Sequence, residues 1–167
     1  VKYAALYRLS GAAAIIGGLL RIGAAFPILS DPAAVEWLYT TIDVLLLFGL
    51  IGIYLVRAER LGFLGLAGFA VGVAALSFIG GPDADPFGFS TYEQGAAALA
   101  IAMLGLSIAW LRARERPLAP PLLFFASAIA AGVLNLIPGL GAHGLPLAGA
   151  LFGAAFAAAG FYLWKLS

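Results

Sequence analysis

Apolar residues run along this chain in long blocks, broken at short intervals by clusters of Gly, Pro and charge. Six blocks, at roughly 4–28, 35–56, 61–80, 92–111, 119–137 and 145–165, each approach the ~20 apolar residues that a helix needs to cross a bilayer. The breaks carry helix punctuation. Ser30-Asp31-Pro32 places a cap and a first-turn proline before the second block. Ser90-x-x-Glu93 reads as a capping box opening the fourth. Pro120-Pro121 opens the fifth and Pro138-Gly139 closes it. Pro146 is expected in the first turn of the sixth, which leaves His143 in the loop before it. The predicted fold is all-α: a polytopic membrane helix bundle of about six transmembrane helices in a single domain, residues 1–167.

Composition supports lipid as the main solvent. The chain is 63% hydrophobic and 10% charged, with a mean hydropathy of +1.06, whereas a soluble domain carries about 25% charged residues. A soluble fold of this length could not hide so much apolar surface. There is no Cys, one His and one Met. Disulfides, thiolate metal sites, multi-His metal centres and bis-His haem therefore lack their parts, and no cofactor is expected. A net charge of +1 gives no electrostatic case for nucleic acid.

The charges also predict an orientation. Lys2, Arg8, Arg57, Arg60, Arg112, Arg114, Arg116 and Lys165 fall at the ends or in alternate connections. The other connections hold Asp31, Glu36, Asp83, Asp85, Glu93 and His143 but no Lys or Arg. By the positive-inside rule both termini are cytoplasmic, with the chain in a bacterial inner membrane. The bacterial source is suggested by the excess of Arg over Lys and the abundance of Ala, Gly and Leu.

Blocks two, four and six end alike: Tyr54-Leu55-Val56-Arg57, Trp110-Leu111-Arg112 and Tyr162-Leu163-Trp164-Lys165. An aromatic belt with inside-positive charge accounts for this pattern. Three repeated helical hairpins are the sharper reading. Small residues recur at helical spacing, at Gly49 and Gly52, at Gly62, Gly65, Gly68 and Gly72, and at Gly149, Gly153 and Ala157. They suit close helix packing within the chain, or homodimerisation.

An ionised group inside the bilayer costs about 3 kcal/mol on insertion scales, so each one needs an explanation. Arg21 and Asp43 fall at comparable depth on either side of the first loop, and an ion pair between them is expected. Glu36, Tyr39 or Thr40, and Asp43 share one helical face. Asn135 and His143 lie towards the same side of the membrane. The expected ligand-binding residues are Arg21, Glu36, Tyr39, Asp43, Asn135 and His143, around a polar pocket in the outer half. No catalytic or metal-ligating set is expected, since Asp83-Ala84-Asp85-Pro86 lacks the rest of a calcium loop.

Three functions fit. The first is binding or transport of a small anionic ligand or lipid, held by Arg21 and balanced by Asp43. The second is a non-catalytic accessory or scaffold subunit of a larger membrane complex, needing only interfaces to a membrane-protein partner. The third, an intramembrane lipid-modifying enzyme using Asp43, Glu36 or Glu93 with His143, has no nucleophile motif behind it.

Overall fold

The Ser30-Asp31-Pro32 punctuation acts as its chemistry dictates: the Asp31 carboxylate accepts from the Ala34 amide at 3.1 Å, and Pro32 is the first helical residue. Ser90 caps the fourth helix in the same way, accepting from the Glu93 amide at 3.3 Å. The computed structural model describes residues 3–26, 29–79, 88–134, 137 and 139–166. These form α1 (Ala4–Gly23), α2 (Pro32–Leu55), α3 (Ala58–Ile79), α4 (Thr91–Arg112), α5 (Ala119–Val133) and α6 (Gly141–Leu166). Five of the six are long and apolar enough to cross a membrane. Large apolar side chains such as Leu9, Ile16, Phe48, Val71, Ile101 and Phe161 face outward. A water-soluble fold would invert that arrangement.

Several boundaries differ from the sequence expectation: α1 ends at Gly23 rather than near 28, α2 starts at Pro32 rather than near 35, and α3, α5 and α6 differ as follows. Helix α5 has 15 residues, about 22 Å at ~1.5 Å per residue, which is short of the ~30 Å hydrocarbon core. Residues 135, 136 and 138, where the expected helix would have ended, lie outside the described residues. Helix α3 begins at Ala58 and is interrupted at Gly62, whose φ of 59° and ψ of −163° an L side chain rarely adopts. Helix α6 starts at Gly141, because Gly139, at φ 85°, turns the chain early. Pro146 therefore lies in the second turn, and His143 is helical rather than in a loop.

Each helix packs antiparallel on its chain neighbour, and α6 packs back on α1, so the six close into a ring. The most extensive pairs are α1–α6 and α3–α4, and glycine explains both. A Cβ on Gly18 would lie 2.4 Å from the Gly153 carbonyl oxygen, and one on Gly11 would lie 2.9 Å from that of Gly160. Backbone thus meets backbone along α1–α6. On the other seam Gly68 abuts the Ala102 carbonyl and Gly72 receives Met103. Without water to drive apolar association, such close approach is what holds helices together in lipid. Gly11, Gly18, Gly68, Gly72, Gly153 and Gly160 are thus used inside the chain.

Between α5 and α6 the buried Ser127 hydroxyl donates to the Ala148 carbonyl at 2.8 Å. Beside it Phe124 meets Phe152 and Phe156 edge to face. Interhelical hydrogen bonds of this kind contribute about 0.6 kcal/mol in membranes. Ser127→Ala is accordingly expected to lower the melting temperature in detergent by only a few degrees, as read by scanning fluorimetry.

The end of the ring that holds the α2–α3 and α4–α5 connections, here the basic end, contains a buried cation. Arg57 is 3% exposed. Its guanidinium stacks 3.8 Å over the Trp110 ring and lies 5.0 Å from that of Tyr162. It donates to the Ile53 carbonyl at 3.1 Å and the Arg116 carbonyl at 3.4 Å. Burial pushes its pKa down to about 10, still well above neutrality. The repeated aromatics of α4 and α6 thus converge on one arginine. Trp110 in turn donates to the Glu115 carbonyl at 2.9 Å, and Glu115 pairs with Arg60, tying the α4–α5 connection to the start of α3.

Candidate functional site

The opposite, acidic end of the ring opens into a cavity of about 610 Å³ to which all six helices contribute. Its polar lining comes from Arg21 on α1, Tyr39 and Asp43 on α2, Tyr92 and Glu93 on α4 and Ser127 on α5. Its apolar lining includes Leu46, Leu99, Met103, Phe124 and Phe152. Volumes of about 300–1,000 Å³ with a few convergent polar groups are characteristic of small-molecule sites.

The position of Arg21 follows from the α1–α6 seam. The Gly11–Gly160 and Gly18–Gly153 contacts continue one turn further to Arg21 and Gly149. A Cβ on Gly149 would lie 2.8–2.9 Å from the guanidinium atoms. The missing side chain is the seat of the cation. On its other side the guanidinium lies 5.5 Å from the centre of the Tyr39 ring, whose hydroxyl donates to the Ala24 carbonyl at 3.3 Å. A glycine face and an aromatic ring hold the group without neutralising it.

The expected Arg21–Asp43 ion pair does not form as a contact: no Arg21 nitrogen lies within 4.0 Å of an Asp43 oxygen. Both side chains line the cavity instead. Equal depth on adjacent helices is not enough for contact, because Arg21 is drawn to the α6 side by the room at Gly149. No protein family model, curated protein or solved structure matches this chain. The reading of the site therefore rests on its own geometry.

Of the six residues singled out from sequence, Arg21, Tyr39 and Asp43 line the cavity together. Glu36 and His143 are exposed and lie outside its lining. Glu36 is in the second turn of α2, one turn beyond Tyr39 towards the helix start. The early start of α6 lifts His143 clear of Gly149, the residue on that helix that faces Arg21. Asn135 lies outside the described residues. The sequence reading missed Gly149 as the seat of the guanidinium and the floor supplied by Met103 and Phe152. Recurring glycines marked that face of α6, but nothing in the spacing said that one of them would meet an arginine. Among the described residues no group of three or more His, Cys, Asp or Glu side chains is placed to hold a metal ion.

Proposed function

We propose that this protein binds, and moves across or within the membrane, a small molecule or lipid whose anionic group is held by Arg21. The carrying observation is a guanidinium seated between a glycine face and an aromatic ring, with no ion pair among the described residues, inside a cavity built by the whole ring. Structural arginines in membranes are paired or sealed by carbonyls, as Arg57 is at the basic end of this chain. Arg21 has an aromatic neighbour and an open face instead. Segregation of eight of the nine basic residues away from the cavity end supports cytoplasmic termini in a bacterial inner membrane, with the cavity in the outer half. The accessory-subunit reading needs interfaces free for a partner, and Gly68 and Gly72 of α3 and Gly149, Gly153 and Gly160 of α6 are spent within the ring.

Native mass spectrometry of protein gently extracted from its own membrane tests this reading. The expected spectrum carries one small molecule or lipid per chain, lost in Arg21→Ala. Gly149→Ala should fold normally, because only the flexible tip of Arg21 has to shift, and should retain less ligand. A stoichiometric protein partner with no small molecule would overturn the binding reading in favour of a subunit.

A further inference from the structure

A second cavity, of about 640 Å³, lies against the first between the end of α1 and the start of α2. Its described lining is apolar, with Leu19, Phe26, Val35 and Leu38 among it, and Tyr39 is its one polar side chain. The two cavities share Ala24, Ala25, Tyr39 and Pro146. Tyr39 is the one polar side chain on that shared wall. On one side its ring faces the Arg21 guanidinium at 5.5 Å, and on the other lies a hydrocarbon-lined groove. A charged chamber that shares a wall with an apolar groove has the polarity of a molecule with a head and a tail.

The charges narrow the head. Arg21 shares its cavity with two acids, Asp43 and Glu93. A bare anion on Arg21 would face two like charges, whereas a head carrying both an anion and a protonated amine complements both signs. Resting on the binding reading above, we infer that the ligand is a zwitterionic amphiphile. Its anionic group sits on Arg21, its amine faces Asp43 and Glu93, and its hydrocarbon chain passes Tyr39 into the groove.

Three probes separate the parts: phosphoethanolamine (head alone), lysophosphatidylethanolamine (head and chain) and lysophosphatidic acid (chain and phosphate, no amine). Affinities are measured on the full chain in an uncharged maltoside detergent, which offers the site neither an anion nor an amine. Lysophosphatidylethanolamine should bind at least about tenfold more tightly than phosphoethanolamine, since each buried methylene adds to affinity. It should also bind more tightly than lysophosphatidic acid. Gly23 lines the groove, and a Cβ there meets nothing within 4 Å. Gly23→Leu should therefore fill the groove, bring lysophosphatidylethanolamine down to the level of phosphoethanolamine and leave phosphoethanolamine unchanged. Arg21→Ala should weaken all three. Equal binding of head and amphiphile by the unaltered protein, or an unaffected lysophosphatidylethanolamine in Gly23→Leu, overturns the amphiphile and leaves the anion site standing. Lysophosphatidic acid binding as tightly as its amine counterpart overturns the zwitterion. No binding of any probe overturns both the inference and the anion site beneath it.

Discussion

Gly18→Ala is expected to destabilise the bundle by about 3 kcal/mol or more, at or beyond the upper end of overpacking effects. The added methyl would sit 2.4 Å from the Gly153 carbonyl oxygen and 2.7 Å from the Ala157 amide nitrogen. Both are backbone atoms of a packed helix, so neither can move as a side-chain tip would. Relief requires α1 and α6 to separate, which loosens the pair that closes the ring. Thermal unfolding in detergent, followed by circular dichroism, should show a fall of ten degrees or so. Gly132→Ala is the matched control, because a Cβ there meets nothing within 4 Å. It should leave the transition unchanged or raise it slightly, as alanine favours helix. If both variants melt like the parent, the backbone contact of α1 with α6 is not what closes the ring.

The second large effect is expected at Arg57. Arg57→Ala removes a cation stacked on Trp110 and donating to two carbonyls. A desolvated cation–π contact contributes about 2 kcal/mol, and a hydrogen bond from a charged group about 1.5–3 kcal/mol. Part of that is offset because the buried charge is also removed, so a loss of roughly 3 kcal/mol is expected. Arg57→Lys should recover little of it, since an ammonium cannot lie flat on the indole while reaching two carbonyls. A double-mutant cycle with Trp110→Leu should give a coupling of about 1–2 kcal/mol. Zero coupling would mean that the ring and the guanidinium are merely adjacent. Ligand binding at the far end should persist in these variants wherever they remain folded. That separates the two arginines by role: one locks the basic end, the other faces the cavity.

Several features of the site could be read before any coordinates. Arg21 and Asp43 stand out because each is an ionisable residue inside an apolar block. Tyr39 follows from Asp43 by helical spacing, and all three line the cavity. Glu36 has the same spacing but lies closer to the membrane surface, where the ring no longer encloses it. Periodicity gives the face of a helix, not how far the neighbouring helices reach along it. The Arg21–Asp43 contact failed for a related reason. Depth along two helices can be counted from the shared loop, but the direction of a long side chain depends on which neighbour leaves it room.

Apolar block length, capping residues and the distribution of charge were sufficient to establish an all-helical membrane bundle and to locate its breaks. Those signals are local: a block of about twenty apolar residues must satisfy its own backbone bonds as a helix in lipid, whatever surrounds it. The closing of the ring through α1 and α6 was not visible, because it joins the two ends of the chain through glycines that read only as generic small residues. Arg57 read as one of several inside-facing charges. It is buried because Trp110 and Tyr162, from helices far apart in sequence, meet on it. The same holds for Arg21, whose charge was evident in the sequence. Its seat on Gly149 exists only once the first and last helices pack at backbone distance, and that contact is a property of the tertiary fold.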